Sequence, residues 1–176
     1  MYNDETPLPP KDLNDLTTTR YRGLRKLVHR ARLERLAAEL LRMGDALRVP
    51  VPIDRLFHNP PQRLWRIDPQ QPLVYLTPPN EPLYYRLEIA RAVARLTGEA
   101  NWEVRTKLIG EQPFSASEVE VFALALLLPT ALLANLNQQQ RNVTTIAKLF
   151  QVPLPETTAR LTELGYIRPP EDARPS

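Results

Sequence analysis

Nine prolines between Pro50 and Pro82 are the feature that most restricts how this chain can fold. Proline lacks an amide donor and clashes with the preceding helical turn, so no helix of ordinary length persists through such a density. Within the stretch, PIDRLF (52–57) predicts a single short helix that begins at a proline. RLWRID (63–68) and PLVYLTP (72–78) predict two short strands, because β-favouring residues flank a turn-forming link.

The sequence before this stretch predicts a disordered segment followed by one long helix. Residues 1–17 are polar and Pro-rich and offer little to bury, so we expect disorder there. A helix is predicted over about 19–43, where apolar residues recur at helical spacing and Gly44 follows. The apolar row changes face partway along, so this helix is expected to contact both its own domain and something else. The row runs through Leu24, Leu27, Val28 and Ala31, and then through Leu33, Leu36, Ala37, Leu40 and Leu41.

This helix is also the most basic part of the chain. Residues 20–48 contain nine basic and three acidic residues, a net charge of +6, whereas the whole chain carries +3. Such a surface can contact phosphates or an acidic protein, and a solvated helix face is the alternative interpretation. The candidate contacts to an acidic partner or nucleic acid are Arg22, Arg25, Lys26, Arg30, Arg32 and Arg35.

Two segments beyond the prolines predict a pair of central helices. RLEIARAVARLTG (86–98) and SEVEVFALALLLP (117–129) both place apolar residues at three- and four-residue spacing, which is typical of core helices. Gly98 lies where a helix C-cap is expected. Ser115 and Glu118 have the spacing of a capping box at the start of the second helix. A helix-turn-helix-like tail follows at 144–165.

The three segments together resemble the ImmA/IrrE (DUF955-like) metallopeptidase family over about 33–167. IARAVARL (89–96) matches the family's alanine-preceded HELGH helix in apolar pattern, and EVEVFALALLLP (118–129) matches the second helix with its F-A pair and L-[LM]-P ending. The tail, 145–167, matches the short helical pair at the family's C-terminus. Val119 and Glu120 depart from the Ala-Asn pair that is usual in the second helix.

The resemblance implies that the zinc chemistry of this family has been lost here. Arg91 and Arg95 stand at the positions of the two His ligands, Ala92 at that of the general base, and Glu118 at that of the third ligand. A guanidinium has five donors and no acceptor, so it cannot ligate zinc, and alanine cannot transfer a proton. We therefore expect no catalytic residue, no metal and no cofactor. Arg91 and Arg95 need acidic partners if they are buried, and Glu118 and Glu88 are the nearest candidates, with an arginine–Glu118 bridge as the sharper hypothesis. His58 is the imidazole expected to be able to approach Glu118.

The composition of the chain indicates its cellular compartment. The chain has no cysteine, no apolar run long enough to span a bilayer and no leader-like N-terminus, so we expect a cytoplasmic protein without a membrane partner. The expected fold is α+β: one mainly helical domain at 18–167, with a small antiparallel sheet, a helix-turn-helix-like C-terminal pair and a flexible 168–176.

The predicted function is that of a non-enzymatic pseudo-metallopeptidase that binds a protein partner. The resemblance implies the partner class, because active family members act on helix-turn-helix transcriptional repressors. The alternative is a DNA-associated transcriptional regulator that uses the basic helix 20–48 with the tail. In the second tail helix the only basic side chain available to DNA would be Arg160, beside two carboxylates, which makes a poor phosphate surface.

Overall fold

The structure is a computed structural model that describes residues 13–66, 81–100 and 113–167, with side chains from Val28 onward. Helices account for most of these residues. The α-helices are α1 (Leu13–Met43), α2 (Ile53–His58), α3 (Pro82–Glu99), α4 (Ala116–Leu127), α5 (Thr130–Ala134), α6 (Val143–Phe150) and α7 (Leu154–Glu163). Two 3-10 turns, Pro61–Arg63 and Gln138–Gln140, complete the regular structure of the described ranges.

The expected α+β fold is wrong, because the described ranges contain no strand and no sheet. In the first predicted strand, 63–68, the backbone enters through left-handed conformations at Gln62 and Arg63 (φ 52° and 55°), which a strand cannot accommodate. Trp65 is then buried, and its Nε1 donates to the carbonyl of Phe57 at 3.0 Å, which ties the segment to α2. The second predicted strand, 72–78, lies outside the described residues.

The core is built around α3 and α4, which pack against each other more extensively than any other pair among the described helices. Ala90 and Ala94 of α3 and Ala123 of α4 are fully buried, so the two backbones approach closely, and Phe122 fills the space beside them. The first half of the domain joins this pair, since α1 packs on α4 and α2 packs on α3. The prediction that 86–98 and 117–129 are neighbouring core helices is therefore confirmed.

Gly98 serves packing rather than termination, which corrects the predicted C-cap. It lies inside α3, where a Cβ would come within 2.8 Å of the Phe114 ring and 2.9 Å of the Phe114 amide nitrogen. The chain entering α4 therefore crosses α3 at a point that only glycine leaves open.

The predicted tail is confirmed in outline. The predicted helices 144–150 and 155–164 correspond to α6 and α7, and the turn between them begins at Gln151 in the left-handed conformation (φ 55°). Ile146, Phe150 and Leu161 are buried in the common core, so the pair closes the domain. None of the helices in the described part of the chain combines the length and the apolar character that a bilayer crossing needs.

Candidate functional site

The positions that the resemblance assigns to the two histidine ligands lie on the partly exposed side of α3. Arg91 is half-buried: its Nε and Nη2 donate to the two carboxylate oxygens of Glu120 at 2.8 and 2.9 Å, and its Nη1 donates to Glu88. Burial disfavours the charged guanidinium, but the hydrogen bonds that it donates to both carboxylates outweigh this effect and raise the pKa of Arg91. Arg95, one turn later, is exposed, and Ala92 packs partly against the core.

Of the two expected acidic partners, Glu88 does pair with Arg91, but the expected arginine–Glu118 bridge is wrong. Two residues along a helix turn a side chain by about 200°, so Glu118 and Glu120 face different neighbours. Glu120 faces α3, whereas Glu118 faces α1, where it forms a hydrogen bond with Nε2 of His29. Ser115 and Glu118 are three positions apart, as a capping box requires. The predicted capping box is confirmed, since Ser115 N donates to Glu118 Oε2 at 2.6 Å.

The imidazole beside Glu118 is therefore His29, and the expectation for His58 is wrong. His58 is exposed at the end of α2, with its ring edge-on to Phe57 at a centroid distance of 5.1 Å. Partial burial raises the pKa of Glu118, but the hydrogen bonds from Ser115 and His29 prevail and lower it below its ordinary value. Among the residues that the structure describes, no three metal-binding side chains cluster, and His29 with Glu118 makes two.

A cavity of about 430 Å³ opens between α1, α4 and α7 beside this histidine. Its floor is apolar, formed by Leu33 and Val121. Its rim carries charges that already have partners, His29 with Glu118 and Arg30 with Glu163, the latter at 2.5 Å. The arrangement joins α1 to α4 and α7, and each charged side chain on the described part of the rim contributes to that contact.

The expected availability of Arg160 to DNA is also wrong. Arg160 was the only basic side chain in the second tail helix expected to be available to DNA, yet it is fully buried. Both Nη atoms donate to the carboxylate of Glu34 on α1, with Nη2 at 2.8 Å, and Nη2 also lies 3.4 Å from the carbonyl of Leu128. Sequence reasoning missed Glu34 and His29, whose partners are 126 and 89 residues away and leave no local signal.

The exposed side of α1 carries the remaining candidates. Val28 is 53% exposed, and Ala31, Arg32 and Arg35 are exposed as well. These four residues have the i, i+3, i+4, i+7 spacing of one helical row, which lies opposite the buried row that contains Leu36. We call them the α1 outer row. Arg30 points inward to Glu163, whereas Arg22, Arg25 and Lys26 lie on α1 with side chains outside those described.

Comparison with known proteins finds no matching protein-family profile, no similar protein with a curated description and no similar solved structure. The resemblance to the ImmA/IrrE family therefore remains a prediction based on sequence motifs. The candidate site consists of the paired arginine on α3, the His29–Glu118 contact and the α1 outer row.

Proposed function

We propose that this chain is a non-catalytic protein-binding domain, a degenerate relative of the ImmA/IrrE metallopeptidases, that binds a helix-turn-helix transcriptional repressor and regulates it. The observation that carries the binding role is the exposure of Val28 and Ala31 on the side of α1 that faces away from the core. Leu24 and Leu27 precede these two residues at the spacing of the same helical row. An apolar row directed away from its own domain favours contact with another molecule.

The state of α3 supports the non-catalytic part of the proposal. Arg91 stands at the first predicted ligand position, and two carboxylates hold its guanidinium there as a permanent cation. A metal ion at this position would have to displace a bidentate arginine–carboxylate pair and then meet a second cation, Arg95. Arg91 thus stabilises the contact between α3 and α4 through its pair with Glu120.

The alternative of a DNA-associated regulator keeps only part of its support. Arg32 and Arg35 are exposed and could contact phosphates, but Arg160 is buried against Glu34. The first turn of α7 would then present Glu156 as its charged residue, and this carboxylate repels a phosphate backbone. A protein partner also accounts for Val28, which a phosphate contact does not require.

The proposal is tested with purified helix-turn-helix repressors from the same genome, starting with any that is encoded beside this gene. We expect a stable complex in size-exclusion chromatography, with the intact mass of the repressor unchanged after prolonged incubation with added zinc. A metal-dependent shortening of the repressor would contradict the non-catalytic role. Absence of a complex at micromolar concentrations would contradict the repressor as partner, and salt-sensitive binding of duplex DNA instead would favour the alternative.

The relation to metallopeptidases is tested separately by restoring the HExxH letters, with Arg91→His, Ala92→Glu and Arg95→His in one variant. Glu118, at the third-ligand position of the family motif, faces α1, so Glu120, which faces position 91, would have to supply the carboxylate from α4. With the two histidines it would give the three protein ligands that a catalytic zinc site needs. We expect about one zinc per chain after dialysis, measured by elemental analysis, and none in the Ala92→Glu single variant. A triple variant that retains its fold and holds no zinc would count against the family relation.

A further inference from the structure

We infer that the α1 outer row receives an acidic amphipathic helix of the partner protein, an inference that rests on the proposed function. The row is apolar at Val28 and Ala31 and basic at Arg32 and Arg35, all on one side of one helix. This is the composition of one member of a helix pair, in which apolar residues form the seam and charged residues flank it.

The arginines of the row are available to a partner. Arg35 makes one long contact to the carbonyl of Ala31, at 3.4 Å, and within the described ranges no carboxylate pairs with Arg32 or Arg35. The neighbouring basic residues of α1 are used differently, because Arg30 binds Glu163 and Arg42 binds Glu39. The two unpaired guanidiniums lie about one helical turn apart, which matches carboxylates spaced one turn apart on a facing helix.

Charge selects among the occupants that such a row could accept. A second copy of this chain would place its own Arg32 and Arg35 beside those of the first copy, and this repulsion between like charges destabilises a helix pair. Nucleic acid would satisfy the arginines, but it offers no apolar surface to cover Val28. A helix with leucine or isoleucine on its seam and glutamate or aspartate beside it satisfies both features.

The experiment uses the full chain and two designed peptides of about four heptads with leucine at positions a and d. One peptide carries glutamate at positions e and g, and the other carries lysine. By fluorescence anisotropy at moderate salt, we expect the glutamate peptide to bind at least about tenfold more tightly than the lysine peptide. Equal binding of the two peptides, or binding of neither, would overturn the inference.

Variants distinguish binding at the α1 outer row from nonspecific electrostatic attraction to the whole protein. Arg32→Glu with Arg35→Glu should reverse the preference between the peptides, and Val28→Asp should weaken the glutamate peptide about tenfold, with helix content checked by circular dichroism. The matched control reverses two exposed arginines elsewhere, Arg55 and Arg95, and should leave both affinities unchanged.

The outcomes distinguish the two proposals. Loss of the preference in the control pair would show that net charge, and not the outer row, governs binding, and would overturn the inference. Insensitivity to Val28→Asp together with competition by duplex DNA would do the same in favour of a nucleic-acid surface. If the repressor binds and the peptide preference is absent, the inference alone fails. If the repressor does not bind and the peptide preference holds, the repressor assignment alone fails.

Discussion

Removal of the Glu34 carboxylate should destabilise this protein more than removal of any exposed charge. The Arg160 side chain is 0% exposed, and both of its Nη atoms donate hydrogen bonds to Glu34, whose own side chain is 18% exposed. In Glu34→Ala the guanidinium keeps only the Leu128 carbonyl at 3.4 Å and a distant oxygen of Glu163 at 3.9 Å. A buried charge left without its partner costs about 3–5 kcal/mol, and because Glu163 compensates in part, we expect about 3 kcal/mol.

The assay is urea denaturation followed by circular dichroism at neutral pH, with thermal melting as a second measurement. For a domain of this size, about 3 kcal/mol corresponds to a decrease in Tm of roughly 6–12 °C. Glu39→Ala is the matched control, since Glu39 lies on the same helix and also pairs with an arginine, Arg42, whose side chain is 67% exposed. Its cost should stay below about 0.5 kcal/mol.

A companion variant tests the cause of the effect. Arg160→Met replaces the buried cation by an apolar side chain of similar length, and the freed Glu34 carboxylate can reach solvent, so we expect a change within about 1 kcal/mol. The reasoning would be refuted if Glu34→Ala and Glu39→Ala differed by less than about 0.5 kcal/mol, or if Arg160→Met were the more damaging of the two substitutions at this pair.

Two further predictions concern α3 and α4. Gly98→Ala should destabilise the fold by about 1–2 kcal/mol in urea denaturation, because its Cβ would clash with the Phe114 backbone and ring by more than the gain in helix propensity; a stabilised variant would contradict this packing. Since the folded pKa of Glu118 is lowered, its carboxylate stabilises the fold above the ordinary pKa of about 4.3 and this stabilisation is lost as the pH falls below it. The difference in unfolding free energy between wild type and Glu118→Gln should therefore shrink from pH 7 to pH 3, and a constant difference would be inconsistent with the account.

The helices were predictable from the sequence because their signals are local. The spacing of apolar residues gave the positions of α1, α3, α4 and the tail pair, and the spacing of Ser115 and Glu118 gave the capping box. The predicted strand at 63–68 failed because Trp65 finds a tertiary partner in the carbonyl of Phe57, and such a contact overrides a short β-favouring pattern.

The charged site was less predictable because its pairings are non-local. The charge of Arg91 was evident, but its main partner is Glu120 and not Glu118, a choice that depends on which neighbours flank α4. Arg160 was expected at the surface because the spacing of apolar residues in α7 does not reveal that the side of α7 carrying Arg160 contacts Glu34 of α1. The change of face along α1, by contrast, was visible in the sequence, and the exposure of Val28 is consistent with it.

Site-specific photo-crosslinking in cells tests whether the outer side of α1 contacts a protein partner. A benzophenone amino acid at Val28 probes the row, and the same group at Ala159, which is exposed on α7, is the control. We expect one strong crosslink from position 28, mapped by mass spectrometry to an acidic helix of a helix-turn-helix repressor, and none from position 159. Absence of a protein crosslink at position 28, or equal labelling from both positions, would contradict this contact.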